Sequence, residues 1–132
     1  MKKTFLIIAI LFLSGSLMAQ KAPKLKIVYF HAEHRCPTCL SIEENTLKTL
    51  NTYFQQQYKS GEITFVSLNV EDKKNTALVE KYQADGSSLF LTKVRGKEEQ
   101  TNNMTNFAFS YSRNQPEKFI SGLKAEIEMD LK

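Results

Sequence analysis

The sequence predicts an α/β fold with a mixed four-stranded sheet flanked by helices, in the order βαβαββα. Three observations lead there. Short β-branched or apolar runs alternate with longer stretches of helical period, which implies crossover connections and a mixed sheet. The last two strand-like runs are joined only by a tight turn at Arg95-Gly96, as in a hairpin. The chain then closes on a helix-forming segment that begins at Pro116.

Lys2 and Lys3 precede an apolar run from Phe5 to Leu13. Ser14-Gly15-Ser16 follows, and then Leu17-Met18-Ala19. A positive start, an apolar centre and a small-residue exit are the features of a secretory signal peptide. The run is shorter than the roughly 20 residues that span a bilayer. Residues 1–19 are therefore expected to be a cleaved leader, and 20–132 a single domain with no stable membrane insertion after its removal. That makes the protein an exported one, expected in the periplasm. Of 18 basic and 14 acidic residues, Lys2 and Lys3 would leave with the leader, lowering the net charge from +4 to +2. So balanced a charge points away from nucleic acid as a partner, and the expected state is a monomer.

Gln20 to Lys26 is a basic lead-in. Ile27-Val28-Tyr29-Phe30 is a continuous apolar run, expected for a strand covered on both faces. His31 to Arg35 reads as a polar loop. A long helix is predicted from Cys36 to about Tyr58, with Leu40, Leu47, Leu50, Phe54 and Tyr58 on one face and Gly61 as its left-handed cap. Ile63 to Val70 reads as the second strand. A short helix from Asp72–Asn75 to Tyr82 follows, then a turn at Gly86-Ser87-Ser88. Leu89 to Val94 is the third strand, and Glu98 to Thr101 a polar edge strand. Asn102 to Ser112 is ambiguous: Phe107, Phe109 and Tyr111 fit a strand or a short helix. Pro116 suits the first turn of the final helix, with Phe119, Leu123 and Ile127 as its apolar stripe.

The chemistry lies in Phe30-His31-Ala32-Glu33-His34-Arg35-Cys36-Pro37-Thr38-Cys39. Both cysteines of the chain are here, three positions apart. A bridge across so short a loop restrains the unfolded chain little, so it is a poor structural staple. Reactivity or metal binding remains. The first cysteine falls at the predicted helix N-terminus, where free N–H groups and the helix dipole favour a thiolate. Arg35 adds a positive charge beside it. Cys36 is accordingly the expected nucleophile and Cys39 the resolving thiol. The metal alternative uses His31, His34, Cys36 and Cys39, all suitable zinc or copper ligands. Glu43 and Glu44 read as solvated charge, with proton transfer to the cysteine pair as the alternative. The sequence contains no Gly-rich phosphate loop and no serine–histidine–acid grouping, and no cofactor is expected.

The segment resembles the thioredoxin superfamily. The resemblance runs from Lys24 to roughly Ile127. It rests on Cys36-Pro37-Thr38-Cys39 after an apolar strand, and on Leu68-Asn69-Val70-Glu71-Asp72, Lys81-Tyr82 and Gly86 to Leu91. A smaller bacterial group is closer still: the ArsF-type, or nitrophenyl-compound nitroreductase subunit, proteins. They share the pattern of Tyr29-Phe30-His31, Arg35-Cys36-Pro37-Thr38-Cys39 and Ile42-Glu43. The resemblance implies a thioredoxin-like fold, a thiol–disulfide oxidoreductase and a protein disulfide or redox partner. It places Arg35, Pro37, Thr38, Ser87 and Ser88 around the substrate. The group name implies reduction or arsenic-linked chemistry, with trivalent arsenic on the dithiol as a form of the binding reading. Two positions depart from the superfamily pattern. Arg35 stands where thioredoxin has Trp, and Ser88 stands where the family has a cis-proline. In the family that proline shapes the substrate groove and discourages metal binding, so Ser88 keeps the metal alternative open.

Overall fold

The computed structural model describes residues 21–132, and the predicted leader lies outside them. Four strands form one sheet: β1 (Leu25–His31), β2 (Ile63–Asn69), β3 (Ser88–Arg95) and β4 (Glu98–Asn103). Their order is β2-β1-β3-β4. β1 pairs parallel with β2, and β3 pairs antiparallel with both β1 and β4. Five α-helices flank it: α1 (Pro37–Tyr53), α2 (Gln55–Ser60), α3 (Thr76–Tyr82), α4 (Thr105–Tyr111) and α5 (Pro116–Asp130). A 3-10 turn at Lys73–Asn75, capped by the Asp72 carboxylate, leads into α3. This is the expected mixed four-stranded α/β sheet flanked by helices, consistent with a thioredoxin-like arrangement. No helix among the described residues is long and apolar enough to cross a membrane.

β1 explains the two-sided cover. Its residues alternate between faces, and both faces are apolar. Leu25, Ile27 and Tyr29 enter one cluster with Ile42 and Leu50 of α1, Ala108 of α4 and Phe119, Leu123 and Ile127 of α5. Val28 and Phe30 enter a second cluster with Tyr82 of α3, Ala84 and Phe90. α4 and α5 approach closely at Gly122, where a Cβ would run into the Phe107 ring. Any larger residue would displace that ring.

Three expectations need correction. The first long helix is two helices, broken at Phe54, which leaves helical geometry at φ −131° while its N–H still bonds the Leu50 carbonyl. Phe54 is buried in the main cluster, and packing sets the bend there. The second helix then ends at Gly61 in the left-handed region, as expected. The buried face of α1 is also different. It is Cys39, Ile42, Thr46, Thr49 and Leu50, while Leu40 is 49% exposed. The threonines are tolerated inside because their hydroxyls bond back to the carbonyls of Ile42 and Asn45, both at 2.7 Å. Lastly, Asn102 and Asn103 continue β4, and the ambiguous stretch beyond them forms α4. There Phe107 and Tyr111 pack on the main cluster while Phe109 stays 38% exposed.

Candidate functional site: the Cys36–Cys39 pair

β1 delivers the chain to the end of the sheet at His31, which pairs with Asn69 in the strand rather than lying in the expected loop, and Ala32 to Arg35 turns it into α1. Pro37 holds the first helical position, where a missing N–H costs nothing. Cys36 is the N-cap, in extended conformation, and its sulfur accepts the Cys39 N–H at 3.1 Å. The dipole of a 17-residue helix ends on that sulfur. Cys36 and Cys39 are at disulfide distance and bonded, with Cα atoms 5.0 Å apart. Cys36 is exposed and Cys39 only 6% exposed. One sulfur therefore faces solvent and the other lies behind it.

Two side chains shape the site in ways the sequence reading did not assign to them. Tyr29, read only as part of an apolar strand, is fully buried, and its hydroxyl donates to the Cys39 carbonyl at 2.9 Å. A buried tyrosine in an apolar run needs such a partner, which was the signal available. Burial pushes its phenol above the ordinary value, against the opposing influence of Arg35 and Ser87 beside it. Glu43, read as solvated charge, forms an ion pair with Arg35. The Arg35 guanidinium lies 5.7 Å from the Tyr29 ring centre, and its Nε is buried without a partner. The positive charge expected beside Cys36 is thus largely answered by Glu43.

The β3 side closes the site. Ser88 pairs with Phe30 across the sheet, and its hydroxyl donates to the Gly86 carbonyl at 2.7 Å. Ser87 instead brings its hydroxyl 3.6 Å from the Cys39 sulfur. All described peptide bonds are trans, the Ser87–Ser88 bond included. Pro37 is exposed and Thr38 half-buried beside the pair; the Thr38 carbonyl accepts the Ser41 hydroxyl at 2.8 Å.

The four candidate metal ligands are not gathered into a centre. His31 lies at the end of β1 with Nδ1 2.9 Å from the Ala32 carbonyl oxygen, His34 is exposed, and the two sulfurs are bonded to each other. Among the described residues no three His, Cys, Asp or Glu side chains form a group fit to hold a metal ion.

No family model and no curated protein matches the chain. Among solved structures it is similar to one described as "Structure of a malarial protein". The identity is 17% and the TM-score 0.44, over 75% of this chain and 96% of that one.

Proposed function

We propose that this chain is an exported thiol–disulfide oxidoreductase of the thioredoxin-like superfamily, acting in the periplasm on a protein disulfide or redox partner. The observation that carries the reading is the asymmetry of the pair: an exposed sulfur at a helix N-cap and a buried one within bonding reach. Such a sulfur is the one whose thiolate is stabilised and accessible.

The reaction follows from that placement. The Cys36 thiolate attacks a partner disulfide, a mixed disulfide forms, and one partner sulfur leaves as a thiolate. Cys39 then attacks the Cys36 sulfur, the intramolecular bond closes, and the second partner sulfur leaves. Two electrons pass from the dithiol to the partner; the reverse sequence oxidises it. Potentials of such pairs span roughly 150 mV, about 7 kcal/mol for a two-electron couple. The resemblance to the ArsF-type group favours the reductive direction.

The test is turnover of insulin or a small model disulfide by the reduced protein, with zinc, copper and arsenite content measured on the same sample. Cys36→Ser is expected to abolish turnover. Cys39→Ser is expected to keep the first attack and to accumulate a stable mixed disulfide. A Cys36→Ser protein as active as the parent defeats the reading. Stoichiometric metal or arsenite without turnover replaces it with a carrier function.

A further inference from the structure

Cys39 must lose a proton before it can close the cycle, and its surroundings oppose that loss. It is 6% exposed, and removal from water disfavours the charged form of any acid. Its own N–H, close to the positive end of the helix, is directed at Cys36 rather than at its own sulfur. The buried polar residues among those described are Thr46, Thr49, Ser88, Thr92 and Ser112, with no carboxylate among them. The titratable side chain in contact with the pair is Tyr29 of β1, approached by Arg35, Ser87 and, through Arg35, Glu43. Arg35 and Glu43 satisfy each other, and the Tyr29 hydroxyl is committed to the Cys39 carbonyl.

Against that background one hydroxyl side chain, from the turn that leads into β3, reaches the buried sulfur. The Ser87 hydroxyl stands 3.6 Å from Cys39 Sγ, a separation suited to a large sulfur acceptor. Its loop is held on the far side. The Ser88 hydroxyl is bonded to the Gly86 carbonyl. Leu89 N–H donates to Thr105 Oγ1 at 3.1 Å, and the Leu89 carbonyl accepts Met104 N–H at 2.8 Å. The backbone that follows Ser87 is thereby anchored to β4 and α4.

We propose that Ser87 is the hydrogen-bond donor that stabilises the Cys39 thiolate when it resolves the mixed disulfide, a role that rests on the oxidoreductase reading above. The Cys39 proton passes to water as the Ser87 O–H turns towards the sulfur. The thiolate attacks Cys36 Sγ, the Cys36–Cys39 bond forms, and the bond from Cys36 to the partner breaks. The partner thiolate leaves with the electron pair and takes a proton from water. The mixed disulfide is itself the electron acceptor, so no other oxidant enters. Hydrogen bonds to charged groups are strong enough to lower such a pKa by about one unit.

The experiment compares Ser87→Thr, Ser87→Val and Ser87→Ala in the full chain. Thr and Val have nearly the same shape, and only Thr keeps the hydroxyl. In a Cys36→Ser background, the pH profile of alkylation by iodoacetamide reads the Cys39 thiolate directly. Val and Ala are expected to move that profile up by about one unit. In the two-cysteine protein they are expected to lengthen the mixed-disulfide lifetime about tenfold at neutral pH. Thr should behave as the parent in both. Identical profiles and lifetimes for Thr, Val and Ala in an active protein overturn this inference alone. A parent protein that reduces no disulfide overturns the oxidoreductase reading, and this inference with it.

Discussion

On one face of the sheet, Leu25, Ile27 and Tyr29 of β1 and Leu89 and Leu91 of β3 meet α1, α4 and α5 in a continuous apolar cluster. On the other face a single seven-residue helix, α3, covers Phe30 and Phe90 through Tyr82. Those three rings lie with centroids 5.1 to 6.0 Å apart. Val28, Ala84, Leu68, Val70 and Val79 complete that small cluster, and beyond it the cover is polar. Tyr82, Thr92 and Thr101 form a hydroxyl chain, and Glu99 of the edge strand binds Lys26 and Lys81. α1, which carries Cys39 and is capped by Cys36, is mounted on the deep face. The shallow face is held by a few aromatic contacts and by groups that water can reach. Stability is expected to follow that division, because apolar burial outweighs exposed ion pairs.

Removal of a ring from the deep face should have the largest effect. Phe119 is fully buried and stacks on Phe107 at 5.8 Å. Phe119→Ala is expected to cost about 3–5 kcal/mol by urea unfolding. A loss below about 1 kcal/mol would mean that the deep face is not the main store of stability.

On the shallow face, Tyr82→Phe removes one hydroxyl from a site where Thr92 keeps Thr101 as a partner at 2.8 Å. About 1 kcal/mol is expected in the same assay. A loss equal to that of Phe119→Ala would erase the distinction between the faces.

The smallest effect belongs to Glu99. Lys26 and Lys81 hold its carboxyl down to about 2, from an ordinary value of 4.5. A depressed carboxyl contributes stability that is fully present above pH 4.5 and is lost as the pH falls towards about 2. Because the pairs are exposed, Glu99→Gln should change the neutral-pH unfolding free energy by only a few tenths of a kcal/mol. Between pH 4.5 and about 2 it should flatten the decline seen in the parent. Salt at about 0.5 M should shrink the difference, since the pairs are solvent-accessible. Parallel decline of parent and variant would show that this triad does not hold the edge strand.

Much of this plan was legible in the chain. The apolar run at Ile27 to Phe30, the turn at Gly96 and the stripe of Phe119, Leu123 and Ile127 each carry their signal within a few residues. So does the placement of Cys36 before Pro37, and those elements stand where they were expected. The buried face of α1 was misread because Thr46 and Thr49 do not count as apolar, although local hydrogen bonds let them enter the core. The bend at Phe54 has no glycine or proline to announce it. α4 was ambiguous because its aromatic spacing fits two periods.

The sequence by itself determined that two sulfurs meet at the start of a helix, because that requires only local geometry: a cap, a proline and a three-residue interval. What surrounds those sulfurs was decided by tertiary structure alone. Ser87 reaches Cys39 across 48 positions, Tyr29 reaches it across 10, and Glu43 rather than water answers Arg35. Contacts of that kind depend on where the sheet brings separate segments together. Periodicity along a chain records which face a residue occupies, and carries no record of which distant residue it will meet there.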